Sequence, residues 1–523
     1  MTIARAIVLV AALIAVGPAN SPIVSAAPAD QLVFNYHLQH PGGDSGPGDP
    51  NAVFCLDGTY HLHYILRHPW NGKTSFSFVH VTSPDMVHWT WRPTTLQPSL
   101  TGHGMFSGTG FLAPDGRPAV IYHGQDSGQN WIAVARDKDL AGWEKPHPFS
   151  PVDAAGLPVK VHQWDPDCFR IGDTFYAVSG GTDVPLFKSR DLKTWTRVGP
   201  FISQQGFKDI LGVEDISCPN FFPIGSKWML LCISHQLGCR YFLGSWDAQR
   251  EQFIPEKHGR MNWRRHGVPW NQMWTGSDVF APESVLTPDG RRVMWAWLGG
   301  LHPSLSGKTI QSLPRELSLP DDEILRIKPL RELENLREDH ERMAAVDVPE
   351  SPEVWTGRTV TKRLLTLPGK SVEMNIRVPR DAALKRRWGL TLFADGEGGG
   401  LPLAFRPENG TIELGDTTAP FSVADLPDAE DVELRIFVDE CLVEVFVNDR
   451  QALVAAWFAK NGQDGVDVWS LGKSFPIGPV DIWTLRPANL GFLAARESGN
   501  WQPQTTDAAG PGNAREDQPG QQP

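Results

Sequence analysis

Short runs in which hydrophobic and polar residues alternate follow one another between about residues 49 and 300, with almost no helical period. This alternation is typical of β-strands with one buried face. Five similar units each contain a turn glycine, and they read LDGTYHLHY, PDGRPAVIYH, IGDTFYAVSG, IGSKWMLLCIS and PDGRRVMWAW. The glycines are spaced 58, 56, 53 and 65 residues apart, at Gly58, Gly116, Gly172, Gly225 and Gly290. Five such repeats predict an all-β fold whose first domain, residues 32–320, is a five-bladed β-propeller.

A second repeated motif places an aspartate four residues before a tryptophan. It occurs as SPDMVHW, DKDLAGW and SRDLKTW. We expect each indole to pack inside a blade while the aspartate orders the turn before it. The pairs are Asp85 with Trp89, Asp139 with Trp143 and Asp191 with Trp195.

The segments that precede the repeated units should form the innermost strands, whose first residues line the central funnel of a propeller. They read GDPNAVF, FSGTGF, WDPDCF, EDISCPNFF and SDVFAPES. Carboxylates therefore converge from four blades and a hydroxyl from the fifth, namely Asp49, Asp165, Glu214, Asp278 and Ser107. Several acids around one pocket repel each other unless they hold different protonation states, which is typical of acid–base chemistry.

Alternation returns after residue 358 and predicts a C-terminal β-sandwich over residues 346–492. Its acids, such as Glu444, alternate with apolar residues and are expected on solvated faces. Residues 321–345 form a charged amphipathic stretch, for which we predict a helical linker. Residues 493–523 are rich in Gln, Pro and Gly, and we predict a disordered tail.

The N-terminal residues 1–27 have the pattern of a secretory signal. Arg5 precedes an apolar run, and small residues suited to cleavage follow near Ala26 or Ala27. We therefore predict a secreted or periplasmic protein that is free of the membrane after cleavage. The net charge of −12 argues against nucleic acid as a partner and favours a neutral substrate.

Neither the cysteines nor the histidines have the spacing of a metal site. The six cysteines show no ligand pattern, and buried free thiols are at least as plausible for them as disulfides. His61 and His63 share one strand face, but no third ligand accompanies them. We predict no metal and no cofactor.

Several of these motifs, in this order, resemble glycoside hydrolase family 32, the invertases, levanases and inulinases. GDPNAVF is similar to the family's Asn-Asp-Pro-Asn motif, MFSGTGF to its Ser-Gly motif and WDPD to its Arg-Asp-Pro motif. SLPRELSL and LRIFVDECLVEVFVNDRQALV resemble the exit from the propeller and the sandwich signature. The resemblance implies a secreted β-fructofuranosidase that acts with retention. It also implies Asp49 as nucleophile, Asp165 as transition-state stabiliser, and Asn51 and Ser107 as substrate-binding residues.

The chain departs from the family pattern around the site. Gly46, Pro47 and Gly48 replace Trp-Met-Asn, and Trp164 replaces the arginine of Arg-Asp-Pro. Ile65 and Phe78 also stand at positions where the family has a glutamine and a tryptophan. The family's acid/base glutamate directly precedes Cys-Pro-Asp, whereas Ser217 stands there in this chain. We predict that Glu214 takes the acid/base role, with Asp215 as the alternative.

Three further residues are expected to contact carbohydrate. They are Trp164, Trp274 as a stacking platform and Asp278 at the rim, although core packing and turn capping are alternatives for the last two. Two other functions stay open: a propeller glycosidase acting on another furanoside, and a non-catalytic carbohydrate-binding propeller.

Overall fold

The computed structural model describes residues 32–43, 45–203, 214–261, 263–265, 279–351 and 359–505. Trp274 and Asp278 therefore lie outside the described residues. The predicted all-β class is confirmed, because strands dominate the described chain and its α-helices are short. The helices are α1 (Pro98–Thr101), α2 (Arg380–Leu384) and α3 (Leu490–Ser498), with 3₁₀ turns at Pro303–Leu305, Arg331–Leu336 and Val423–Asp425. Among the described residues, no helix is both long and apolar enough to span a membrane.

The N-terminal part contains five sheets that follow one another along the chain and are antiparallel except for one edge pair. The first two are β1 (Pro50–Leu56), β2 (Thr59–Trp70), β3 (Lys73–Ser83) and β4 (Thr90–Trp91), then β5 (Met105–Leu112), β6 (Pro118–Gly124), β7 (Asn130–Val134) and β8 (His147–Pro148). The third contains β10 (Pro166–Ile171), β11 (Thr174–Ser179), β12 (Pro185–Ser189) and β13 (Trp195–Pro200), with β9 (Pro151–Val152) added in parallel to β13. The last two are β14 (Ser217–Ile224), β15 (Lys227–Ser234), β16 (Gly238–Asp247) and β17 (Gln252–Arg260), then β19 (Phe280–Leu286), β20 (Arg292–Trp297), β21 (Arg315–Ser318) and β22 (Arg326–Pro329).

The first strands of these sheets pack against one another in a cycle. Strand β1 contacts β5, β5 contacts β10, β10 contacts β14, β14 contacts β19, and β19 contacts β1 again. The segments predicted to be innermost are thus the first strands of successive sheets. Of the predicted site residues, Asp49, Ser107 and Asp165 lie together at the ends of these strands.

Four of the five first strands contain a β-bulge near their N-terminal end. The register shifts lie between Asn51 and Phe54, Met105 and Gly108, Ser217 and Asn220, and Phe280 and Glu283. Three bulges hold a non-glycine residue at positive φ: Ala52, Cys218 and Ala281. A bulge redirects the side chains beside it, so these positions can face the axis rather than alternate strictly.

The repeated tryptophans pack as predicted. Trp89, Trp143 and Trp195 are all buried. Asp85 accepts hydrogen bonds from two backbone N–H groups that follow it, and Asp191 does the same. For these two aspartates the turn-ordering role is confirmed.

The C-terminal part is built from two facing sheets and a short ribbon. The larger sheet runs in the order β18 (Arg264–Arg265), β30 (Thr417–Pro420), β29 (Thr411–Leu414), β28 (Leu401–Arg406), β27 (Trp388–Ala394), β34 (Gly465–Ser470) and β25 (Thr361–Thr366). The other runs β23 (Arg337–Met343), β36 (Val480–Leu485), β26 (Ser371–Val378), β31 (Val432–Asp439), β32 (Leu442–Val447) and β33 (Gln451–Ala456), while β24 (Val346–Val348) pairs with β35 (Phe475–Ile477). Apolar residues from both sheets form one buried core that includes Trp388, Leu390, Ile412, Ile436 and Val445.

Two boundary predictions differ from the structure. The stretch 321–345 contains strands β22 and β23 and one short 3₁₀ turn instead of a helical linker, because its backbone pairs with β21 and β36 at the edges of two sheets. The stretch from residue 493 to Thr505 is ordered rather than part of a tail. Helix α3 packs beside β4, and Trp501 is buried against His40. Burial of these aromatic residues outweighs the polar composition around them.

The expectation that Glu444 is solvated is wrong. Its side chain is fully buried and is paired with Arg315 of β21 at 2.8 Å. It also lies 3.4 Å from the ring of His37. Strand alternation predicts which face a residue occupies, but it does not reveal that this face packs against charged residues of the N-terminal part.

Candidate active site

Asp49 is held at the start of β1 by its backbone. Its carbonyl accepts hydrogen bonds from the Ile65 N–H group at 3.0 Å and from Asn51 Nδ2 at 2.7 Å. The preceding carbonyl of Gly48 accepts from Gln311 Nε2 at 2.7 Å. A Cβ atom at Gly48 would lie 2.5 Å from the side chain of Thr309. The close approach of Thr309 explains why glycine precedes the aspartate.

The Asp49 carboxyl group is buried and only partly hydrogen-bonded. It is 8% exposed, and Ser107 Oγ donates to Oδ2 at 3.3 Å. Oδ1 has no hydrogen-bond partner among the described residues. Burial raises the pKa of Asp49 to about 7, and the charge of Asp165 adds to this, while the Ser107 hydrogen bond and the charge of His235 act in the opposite direction. One carboxylate oxygen is therefore oriented by Ser107, while the other is buried without a hydrogen bond from a described residue.

Asp165 lies on the same pocket, just before β10. It is 5% exposed and accepts hydrogen bonds from the Cys218 N–H group at 3.3 Å and from Cys218 Sγ at 3.6 Å. Cys218 Sγ also lies 3.4 Å from Ser107 Oγ. Burial raises the pKa of Asp165. Ser107 and Cys218 thus join the two carboxyl groups, which come from different sheets.

Cys218 was missing from the residues predicted for this site. Its backbone adopts φ 45° in the bulge of β14, which turns the thiol toward Ser107 and Asp165. Burial and the nearby charges of Asp165 and Asp49 raise the thiol pKa, so the group stays neutral. Its place in an innermost strand was the available signal, but a bulge is not visible in an alternation pattern.

Asn51 lies behind Asp49 and is fully engaged. Its Nδ2 donates to the Asp49 carbonyl, and its Oδ1 accepts from the Gly108 N–H group at 2.7 Å. The second of these bonds joins β1 to β5. The structure thus gives Asn51 a positioning role, and its predicted contact with substrate stays a prediction.

Trp164 directly precedes Asp165 and is held by contacts with two neighbouring residues. Its Nε1 donates to Ser217 Oγ at 3.0 Å, and its ring lies 5.0 Å from that of His123. The side chain is half-buried. The ring of His162 also lies at 6.2 Å in a stacked arrangement, and the predicted contact of Trp164 with carbohydrate stays a prediction.

The two residues predicted as acid/base candidates have different partners. Both oxygens of Glu214 accept from one nitrogen of Arg240, a buried guanidinium that also contacts His258 at 2.9 Å. Asp215 instead pairs with His235 Nδ1 at 2.5 Å and accepts from Ser217 Oγ at 3.0 Å. His235 lies in the turn that directly follows β15, and no catalytic role was predicted for it from the sequence.

The described part of the chain contains neither a metal-binding cluster nor a disulfide. No group of three or more His, Cys, Asp or Glu side chains there is arranged to hold a metal ion. All six cysteines are free, and five of them are buried. Of the two alternatives drawn from the sequence, free thiols rather than disulfides are confirmed.

Comparison with known proteins identifies the family. The model of the glycosyl hydrolases family 32 N-terminal domain matches residues 47–329, and that of the family 32 C-terminal domain matches residues 332–484. A probable sucrose-6-phosphate hydrolase of Psychromonas ingrahamii is 27% identical over 491 residues, which cover 88% of this chain and 82% of that protein. A levanase of Bacillus subtilis is 26% identical over 505 residues, covering 84% and 69%.

A solved structure has the same fold. The fructan 1-exohydrolase IIa of Cichorium intybus superposes with a TM-score of 0.67 at 18% identity, covering 87% of this chain and 97% of that one. The two family domains together account for both parts of the described structure. The chain is therefore a glycoside hydrolase that belongs to family 32, as its motifs predicted.

Proposed function

We propose that this protein is a retaining β-fructofuranosidase that hydrolyses fructosyl linkages of the sucrose, levan or inulin type. The observation that carries the proposal is the pair of buried carboxyl groups, Asp49 and Asp165, joined through Ser107 and Cys218 in one pocket. Membership of family 32 and the sucrose-6-phosphate hydrolase and levanase relatives support it.

Asp49 is the nucleophile in this proposal. Its ionised carboxylate would form a bond to the anomeric carbon, and the hydrogen bond from Ser107 orients the group. The glycosidic oxygen would leave with a proton from a second group, and water would then release the sugar from Asp49. Two displacements at one carbon give overall retention.

Asp165 would stabilise the transition state. Its hydrogen bonds from Cys218 keep the carboxylate fixed at the pocket. Ring hydroxyls of the fructosyl unit would donate to it as positive charge develops at the anomeric centre. A preorganised acceptor of this kind stabilises the transition state more than the ground state.

The charge of the pocket favours a neutral substrate over a phosphorylated one. Its carboxylates include Asp49, Asp165 and Asp215, and the described cations nearby are already paired, Arg240 with Glu214 and His235 with Asp215. A sugar phosphate would meet net negative charge. The overall charge of −12 acts in the same direction.

Two further parts of the proposal concern architecture and location. The five sheets, whose first strands contact in a cycle, are taken as the blades of a five-bladed propeller. The N-terminal pattern of residues 1–27 supports export, and hydrolysis would then occur outside the cytoplasm.

Incubation with sucrose, inulin and levan should release fructose, and kcat/KM should be lower for sucrose 6-phosphate than for sucrose. Free fructose is the readout, and added methanol should yield a fructoside with the configuration of the substrate. Cleavage of an arabinofuranoside but of no fructoside would support the other furanoside activity. Binding of these sugars without turnover would support a non-catalytic propeller.

The pH dependence of kcat/KM should reflect the ionisation of Asp49. Because the pKa of this carboxyl is raised to about 7, activity should increase as pH rises through that value. Ser107→Ala removes a hydrogen bond that lowers the pKa, so this limb should move to higher pH. Ser189→Ala, which breaks a Ser–Asp hydrogen bond of 3.1 Å with Asp191, is the control. If the acid limb of Ser107→Ala lay at the same pH as in the wild type, the assignment of this limb to Asp49 would be wrong.

A further inference from the structure

The position at which the family carries its acid/base cannot supply a proton in this chain. Ser217 is buried, donates to Asp215 at 3.0 Å and accepts from Trp164 at 3.0 Å. A serine hydroxyl is too weak an acid to protonate a leaving group near neutral pH. Another group must protonate the glycosidic oxygen if the proposed function holds.

Glu214 is poorly arranged for this task. The guanidinium of Arg240 engages both of its oxygens, and the two side chains are buried together. Arg240 is itself fixed by the face of Phe242, 4.9 Å from its ring centre. Protonation of Glu214 would leave Arg240 buried without its counterion, which is costly.

Asp215 is committed to accepting hydrogen bonds. Oδ1 accepts from the His235 backbone N–H group at 2.8 Å, and Oδ2 accepts from His235 Nδ1 at 2.5 Å and from Ser217. Burial favours a higher pKa for this carboxyl, but the hydrogen bonds from His235 outweigh it and lower the pKa. Asp215 is thus an anion that orients the imidazole.

In the described part of the chain, only one ring nitrogen of His235 is hydrogen-bonded. Because ionised Asp215 can only accept, Nδ1 carries a hydrogen, and no hydrogen bond joins Nε2 to another described residue. The side chain is 46% exposed, with Phe280 of β19 lying edge-on at 6.2 Å. The residue follows β15 at the end where Ser217 pairs with Ile233, which is the pocket end of this sheet.

We propose that His235, oriented by Asp215, is the general acid/base of the hydrolysis. This inference rests on the proposed function and replaces Glu214 in the predicted role. In the first step the Nε2 proton passes to the glycosidic oxygen as its bond to the anomeric carbon breaks and Asp49 bonds to that carbon. In the second step neutral Nε2 takes a proton from water, whose oxygen displaces Asp49. The enzyme returns to its starting state.

The charges around His235 suit this cycle. The groups that act on it are Asp215 beside it, Asp165 before β10 and Asp49 before β1. The hydrogen bond with Asp215 raises the pKa of His235, burial opposes this, and the charges of Asp215, Asp165 and Asp49 add to the rise. These charges favour the protonated imidazole, the form that the first step requires.

The test compares His235→Asn, Asp215→Asn and Glu214→Gln on sucrose and on p-nitrophenyl β-fructofuranoside, whose leaving group needs no proton. His235→Asn should lower kcat/KM for sucrose by about 10²–10⁴-fold and affect the aryl substrate far less. It should also remove the alkaline limb of the pH profile, and Asp215→Asn should move that limb to lower pH. Glu214→Gln should lower kcat/KM for both substrates to a similar extent.

His88→Asn is the matched control, since His88 forms a similar pair with Asp85, at 2.7 Å, on the surface of the first sheet. Circular dichroism and Tm establish that each variant folds. A leaving-group-dependent loss in Glu214→Gln but not in His235→Asn would overturn the assignment while the proposed function stands. A wild-type protein that is inert on every fructoside would overturn both.

Discussion

Asp49→Asn should abolish fructose release and at the same time make the protein more stable. The substitution removes the group that bonds to the anomeric carbon, so kcat should fall by about 10⁴-fold or more. The size of the amide differs little from that of the carboxyl, and Ser107 remains able to hydrogen-bond it. Release of fructose from sucrose, inulin and levan measures the loss.

The gain in stability follows from the same burial that activates the site. The pKa of Asp49 is about 7 in the folded protein against 3.8 for an unperturbed aspartate, so the folded state binds this proton more tightly. The penalty is absent below pH 3.8 and fully present above pH 7. It amounts to about 4 kcal/mol at most, which asparagine should largely remove above neutral pH. Urea unfolding at pH 6 and pH 8 measures it.

Asp57→Asn is the control for both effects. Asp57 follows β1 directly, is 73% exposed and pairs with Lys138 at 2.9 Å. Its loss should leave activity unchanged and alter the free energy of unfolding by less than about 1 kcal/mol. Retention of more than a tenth of the wild-type activity by Asp49→Asn would exclude Asp49 as nucleophile.

Glu444→Gln should destabilise the protein by about 3–5 kcal/mol. Glu444 accepts from Arg315 at 2.8 Å and from the Leu313 N–H group at 2.8 Å, in a fully buried setting. Nε and Nη1 of Arg315 have no hydrogen-bond partner among the described residues, so Glu444 is its charge partner there. The variant would leave a buried guanidinium without a counterion. Chemical unfolding at pH 7 measures the loss.

His37 connects this pair to Asp439, its partner at 2.8 Å. Burial acts to lower the pKa of His37, but the hydrogen bonds with Asp439 and Glu444 outweigh it and raise the pKa to about 9. The charged imidazolium therefore stabilises the fold fully below pH 6.5, and this contribution is lost as pH rises through about 9. The loss should be about 3 kcal/mol at most in the wild type, and smaller in Glu444→Gln.

Glu413→Gln is the matched control for Glu444→Gln. Glu413 pairs with Arg406 at 2.9 Å in the same C-terminal part, but this pair is partly exposed. Its loss should cost less than about 1 kcal/mol. Equal effects of the two substitutions would mean that the buried network contributes no more than a surface ion pair.

The composition of the pocket was largely predictable from local patterns. Asp49, Asp165 and Ser107 stand at equivalent positions before or within successive first strands, and the structure brings them together. Repetition carried this prediction, because equivalent positions in repeated sheets converge on one axis. No catalytic role was predicted for His235, which lies in a hairpin turn, and Cys218 was not predicted for the site because a bulge redirects it.

The amino-acid sequence by itself determined the strand-rich fold, the order of the repeats and the acids that begin the innermost strands. These features depend on alternation and turn residues, which act between neighbours along the chain. Only the tertiary structure decided that Glu214 pairs with Arg240, that Asp215 holds His235, and that Glu444 is buried against Arg315. Each of these pairs joins charged residues that lie on or beside separate strands or sheets and far apart in the sequence. The partner of a buried charge decides whether that charge takes part in the reaction or stabilises the fold.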